Sequence, residues 1–82
     1  MKDQVWYVYM VQCNGGALYT GIAIDVKKRV AQHNKGKGAK AVVMLGLPVR
    51  LVYKEKCESK SEALKRELAI KKLKKKDKEK LI

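Results

Sequence analysis

At 82 residues the chain has room for one domain with a modest core, and its 46% hydrophobic content belongs to a folded protein rather than a disordered tail. Twenty Lys and Arg against eight Asp and Glu give a net charge of +12, which favours a polyanionic partner: nucleic acid, an anionic membrane or an acidic protein. No apolar run approaches the roughly 20 residues of a membrane span, and MKDQVWYVYM lacks a signal peptide's apolar stretch, so a soluble, cytoplasmic protein is expected.

Residues 5–13, VWYVYMVQC, are aromatic and β-branched and predict a strand. Asn14-Gly15-Gly16 is a turn signal, and ALYTGIA (17–23) predicts a second strand that closes a hairpin. Tyr7, Tyr9 and Val11 share one face of the first strand, because side chains alternate. A three-residue loop sets Tyr9 opposite Gly21 and Tyr19 opposite Val11, with both tyrosines on one side. A two-residue loop puts them on opposite faces.

Asp25 is the predicted N-cap of a helix from Val26 to about Asn34, with Gly36 as its C-cap. Val26 and Val30 form its buried stripe, and Arg29 and His33 flank that stripe one turn apart. GKGAK (36–40) reads as a flexible basic loop, and AVVMLGL (41–47) is ambiguous in secondary structure. PVRLVYKEKC (48–57) predicts a third strand, with Val49, Leu51 and Tyr53 alternating against Arg50, Val52 and Lys54. Ser59-Lys60-Ser61-Glu62 fits a capping box that opens a helix over 60–74, and Asp77 caps a last turn ending in Leu81 and Ile82. The fold predicted is α+β: one domain over 1–82, a three-stranded antiparallel sheet flanked by helices, in the order β-β-α-β-α with a short terminal helix.

On the long helix, Ala63, Leu64, Leu68 and Ile70 form the apolar arc, and Glu67 falls inside it. An inward carboxylate costs several kcal/mol unless it is paired or binds a metal. Lys71, one turn on, offers a simple ion pair; a metal ion is the other reading. The two cysteines, Cys13 and Cys57, have no CxxC spacing and read as unpaired thiols, and zinc is not expected. Seven lysines fall in KKLKKKDKEKLI (71–82), a solvated tail or a polyanion-binding surface.

One chemistry uses all these parts. Hydrolysis of a phosphodiester needs an activated water, a cation against the charge on the phosphorus oxygens and help for the leaving oxygen. A phenol titrates near pH ~10, and a metal or arginine beside it favours the phenolate, which makes tyrosine a candidate general base.

With these residues in place the sequence resembles the GIY-YIG nuclease domain. Tyr7-Val8-Tyr9 matches the first motif and Tyr19-Thr20-Gly21 the second. Arg29 and His33 follow on a helix, and Glu67 in EALKRE falls at the family's metal-binding glutamate. The likeness runs from Val5 to Ile82 and is greatest to the small stand-alone bacterial subgroup (YhbQ/YazA-like), through HNKGKGAK, PVRLVYKE and SEALKRELAIKKL. The resemblance implies an endonuclease acting on DNA, or on RNA as the alternative polyanion, with one divalent ion, Mg²⁺ or Mn²⁺. It implies that Glu67 holds the metal, Arg29 steadies the pentacovalent phosphate, Tyr9 or Tyr19 positions or deprotonates the water, and His33 assists proton transfer or contacts phosphate. Gly21 and Tyr7 belong to the motif framework, and Lys35, Lys37, Lys40, Lys71, Lys72 and Lys75 are the expected backbone contacts.

The chain departs from the family at three places. Ile22 stands where several members carry lysine, Tyr7 replaces a glycine, and Ala41 to Leu47 replace a Tyr-Thr-Arg-rich basic segment. The last change adds an apolar patch, which extends the core or joins two copies of the chain. No element is free for base readout, so little sequence preference is expected, and a partner protein is a candidate source of specificity. A membrane partner is not expected, since no wide apolar face opposes the lysines. The alternative function is a nucleic-acid-binding module on the same fold with little or no catalysis.

Overall fold

The computed structural model describes residues 4–82, so the first three residues of the expected domain lie outside the description. The predicted hairpin is formed by β1 (Trp6–Gln12) and β2 (Leu18–Ala23). Cys13 N–H donates to the Ala17 carbonyl at 2.8 Å and Gly16 N–H to the Cys13 carbonyl at 2.8 Å. These bonds make 14–16 a three-residue loop, with Gly16 at φ 96°, a conformation that suits glycine. β3 (Arg50–Cys57) pairs with the other side of β1, and the sheet is antiparallel throughout, ordered β2-β1-β3.

The alternation of β1 divides the core in two. Tyr9 and Val11 point to one face and pack with Cys13, Ala23, Val26, Val42 and Val49. Val8 and Met10 point to the other and pack with Cys57, Ala63 and Ile70. α1 (Val26–Asn34) and α2 (Lys40–Leu45) supply the first face, and α3 (Lys60–Lys71) the second. After α4 (Lys75–Glu79), Leu81 packs on the second cluster beside Trp6. Cys13 and Cys57 are free thiols in different clusters, on opposite sides of the sheet.

Two N-caps fall where predicted. Asp25 accepts from the Lys28 N–H at 3.0 Å, and Ser59 Oγ from the Glu62 N–H at 3.1 Å. The reciprocal arm of the expected capping box is displaced by one residue: the Glu62 carboxylate accepts from Glu58 N–H, at 3.2 Å, rather than from Ser59. At the end of α1, Lys35 is the cap, and Gly36 follows with φ 75°, the glycine position of a left-handed stop.

Other expectations are corrected. Residues 40–45 are helical despite two consecutive valines of low helix propensity, because Val42 is fully buried in the first cluster and Gly46, at φ 109°, ends the turn. The basic loop therefore stops at Ala39, and Lys40 opens α2. β3 starts at Arg50, and its register against β1 shifts between Met10 and Val11, so Val52 and Tyr53 both pack on the second cluster while Leu51 is exposed. α3 stops at Lys71 rather than 74, and Lys74, not Asp77, stands at the N-cap of α4 with no side-chain bond. Crowded lysines at 71, 72, 74, 75 and 76 repel one another along a continuous helix, and the break lets the chain turn back. Finally, the buried side of α3 is centred on Ala63 and Ile70, and Leu64 and Leu68 face solvent.

A tyrosine and histidine cluster beside an inward carboxylate

The hairpin register sets Tyr9 opposite Gly21 and Tyr19 opposite Val11, which places both tyrosines on the face of α1. The Tyr9 ring lies across Gly21: a Cβ there would sit 2.7 Å from Tyr9 Oη and 2.8 Å from Cζ. Any other residue at 21 displaces the phenol, so this glycine is required for space.

α1 brings two more groups. His33 is 0% exposed, and its Nε2 lies 2.8 Å from Tyr9 Oη in a buried hydrogen bond. Tyr19 packs edge-on against the same imidazole, with 5.7 Å between ring centroids. The sequence placed His33 at the margin of the apolar stripe; it is in fact more deeply buried than Val30, which is only half-buried. Arg29 is half-buried beside the phenol, and its Nη1 donates to Gln32 Oε1 at 3.1 Å. Among the described residues the Nδ1 edge of His33 has no hydrogen-bond partner, and Gly38 is pressed against it with no room for a Cβ.

Burial, with the Arg29 charge second, lowers the His33 pKa below its ordinary value, so the imidazole is neutral near pH ~7. Burial also raises the Tyr9 phenol, against the pull of Arg29. Between a neutral phenol and a neutral imidazole the bond runs from Tyr9 O–H to Nε2 in the Nδ1–H tautomer, or from Nε2–H to Tyr9 Oη in the other. Arg29 thus favours a phenolate at Tyr9 and disfavours an imidazolium at His33.

Glu67 comes from α3 and is turned inward, its side chain 14% exposed and 3.5 Å from the Lys71 ammonium. Both readings of that residue meet here, since the ion pair exists and the carboxylate is nonetheless held against the domain. Its negative charge reaches Tyr9 and adds to the upward push on the phenol. Among the described residues no three His, Cys, Asp or Glu side chains gather as a metal cage. Mg²⁺ does not need one, because it keeps several waters and binds through one or two carboxylates plus substrate phosphate. A single inward carboxylate beside a half-exposed lysine fits that ion and does not fit zinc.

The other predicted residues lie around this cluster. Tyr7 pairs with Ala23, packs on the first core cluster and carries the Lys54 ammonium 5.2 Å from its ring centroid, a framework position. Lys35, Lys37 and Lys40 are exposed around the C-terminal end of α1, and Lys71, Lys72 and Lys75 are exposed at the junction of α3 and α4. Sequence reasoning passed over Gln32, Asn34 and Gly38. Only Gly38 carried a signal, as the second glycine of GKG; the other two are ordinary polar residues of an exposed helix face until their contacts are seen.

Residues 5–80 match the GIY-YIG catalytic domain family. The chain belongs to that family. It is 51% identical over 76 residues to a UPF0213 protein of Staphylococcus saprophyticus, spanning 93% of this chain and 92% of the relative. A UPF0213 protein of Staphylococcus epidermidis is 58% identical over 65 residues, or 79% of this chain and 78% of that one. Among solved structures it resembles the UPF0213 protein of Bacillus halodurans determined by solution NMR, with 41% identity, a TM-score of 0.59 and coverage of 94% of this chain and 81% of that one. An E. faecalis protein, also solved by NMR, gives 36% identity, a TM-score of 0.62 and coverage of 99% and 88%. The GIY-YIG family and its small UPF0213 subgroup thus agree with the sequence-based expectation.

Proposed function

We propose that this GIY-YIG domain is a metal-dependent endonuclease that hydrolyses DNA phosphodiester bonds with little sequence preference, acting in the cytoplasm on branched or damaged structures. The observation that carries the reading is the buried 2.8 Å bond between Tyr9 Oη and His33 Nε2, with Arg29 alongside. Tyr9 is buried, and a buried phenol needs a hydrogen-bond partner in any role; an imidazole as that partner, with an arginine beside it, is the pairing that suits proton transfer.

In this reading Tyr9 acts as its phenolate, its own proton having gone to solvent with Arg29 offsetting the charge and neutral His33 beside it, and Oη takes a proton from the attacking water. The water oxygen bonds to phosphorus, and the bond from phosphorus to the leaving sugar oxygen breaks. Solvent returns a proton to the leaving group. His33 lies behind Tyr9 with its second nitrogen closed off by Gly38, so its part is to support the phenol; Tyr9 is itself only 1% exposed, and the attacking water has to reach Oη at that edge. Arg29 balances the charge that builds on the phosphorus oxygens. Tyr19 holds the imidazole edge and completes the wall. Glu67 would hold Mg²⁺ or Mn²⁺, and the ion supplies Lewis-acid polarisation of the phosphoryl oxygen when bound. The lysines at 35, 37, 40, 71, 72 and 75 hold the polyanion.

The binding-module reading has its own support in Ile22, in the apolar α2 and in the full burial of His33. α2 exposes Val43, Met44 and Leu45, with Met44 86% exposed, a surface for a second copy or for a partner that supplies specificity. Nicking of supercoiled plasmid and of a branched DNA, with Mg²⁺, Mn²⁺ or EDTA, separates the two functions. Metal-dependent cleavage that is lost in Glu67→Ala while binding persists supports the nuclease. Salt-sensitive binding without cleavage under either metal leaves the binding module.

A further inference from the structure

We infer that Asn34 is the positioning residue of this site, fixing the last turn of α1 so that His33 meets Tyr9. The inference rests on the nuclease reading for its catalytic meaning, but its geometry stands apart from it.

Asn34 is the last residue of α1 and follows His33 directly. Its side chain makes two hydrogen bonds to one residue 15 positions away: Nδ2 donates to the Val49 carbonyl at 3.1 Å, and Oδ1 accepts from the Val49 N–H at 2.7 Å. Val49 lies one residue before β3, beyond the last β1–β3 pair, Gln12 with Arg50. The Asn34 amide therefore acts as a strand partner for a buried residue that the ladder does not reach. It also closes the base of the excursion that carries Gly38 and α2.

α1 has few other ties to the sheet. Val26 anchors its first turn, Val30 is half-buried, and the remaining outward residues are Ala31 and charged or polar side chains. At the far end, the height and rotation of the helix depend on the Tyr9–His33 bond, on Tyr19 and Gly38 against the imidazole, and on Asn34. All but the last are contacts of His33 itself. Among the described residues, Asn34 alone makes side-chain hydrogen bonds from this turn to the segment that leads into β3. An amide is required: aspartate in its place sets a carboxylate oxygen against the Val49 carbonyl and loses the donor.

The test uses the whole chain with Asn34→Asp, and with Asn34→Ser as a milder variant that keeps one hydroxyl for Val49 should the first not fold. His33 is the only histidine in the chain, so its ring ¹⁵N resonances report the Tyr9 bond directly and need no catalysis. The expected result is that the ring shifts move from the single hydrogen-bonded tautomer toward the mixture of a free imidazole. DNA affinity in EDTA stays within about twofold, and kcat falls about tenfold to a hundredfold with KM little changed, because a displacement of ~1 Å is enough to cost that much. Unchanged ring shifts in a folded variant, with only thermal stability reduced, overturn the inference. Moved ring shifts in a protein whose wild type cleaves nothing uphold the positioning role and refute the nuclease reading instead.

Discussion

Gly38 lies so close to His33 that a methyl group in place of its hydrogen meets Nδ1 and the neighbouring ring carbons. Its backbone is outside the left-handed region, so space alone demands glycine. Gly38→Ala is expected to destabilise the domain by about 1–3 kcal/mol through overpacking, measured by urea denaturation, and to weaken the Tyr9–His33 bond. His33 gives a second residue-level expectation. Its folded pKa lies below the ordinary 6.5, so as pH falls the unfolded chain takes up the proton first. The contribution of neutral His33 to stability is complete above about pH 6.5 and is lost as pH falls toward the lowered native value. Urea midpoints followed downward through that window should drop in wild type, and His33→Gln should flatten the drop. The sequence pointed to this residue from its spacing with Arg29, but the depth of its burial depends on loop 35–39, which no local pattern foretold.

Among the elements, α3 carries the clearest lesson. Its two leucines suggest a wheel centred between them and Ala63, yet Leu64 and Leu68 face solvent while Ala63, Glu67 and Ile70 turn inward. A small residue at 63 lets the helix approach Val8 and Met10, and that steric gain outweighs leucine burial. The inward glutamate was legible all the same, because its angle on the helix is fixed whichever neighbours are buried. The Glu67–Lys71 pair itself should contribute little: Lys71→Ala is expected to change stability by less than about 0.5 kcal/mol in the same denaturation assay, since its ammonium is half-exposed. The hairpin was legible from Asn14-Gly15-Gly16 and the pattern on either side. α2 was not, because its helical state comes from one buried valine and a terminating glycine rather than from periodicity. The β3 bulge and the Asn34 bridge escaped for a similar reason, both being set by partners distant in sequence. If α2 joins two copies, light scattering should give a dimer mass that Val43→Asp reduces to monomer; a monomer mass in both removes that role.

For the whole molecule, a charge of +12 on so small a domain should make nucleic-acid binding steeply salt-dependent. Replacing Lys71, Lys72 and Lys75 together by alanine is expected to lower the slope of log K against log salt by about 2–3, equally for unrelated sequences. A change confined to one sequence would indicate base readout and contradict the account. The two-sided core explains how such a chain carries its charge: the sheet packs on both faces, and the described lysines lie outside the two clusters, on all four helices, on β3 and in the loop after α1. Among the described residues no helix is long and apolar enough to cross a membrane.

Under the proposed nuclease function, Tyr9, backed by neutral His33, accepts the proton of the attacking water. Single-turnover cleavage of plasmid DNA in Mg²⁺ by Tyr9→Phe and Tyr19→Phe tests it most directly. Tyr9→Phe is expected to lose about 10²–10⁴-fold in rate, the usual contribution of a general base, with DNA binding retained, and Tyr19→Phe to lose much less. Equal rates for wild type and Tyr9→Phe, or a larger loss at Tyr19, would contradict it.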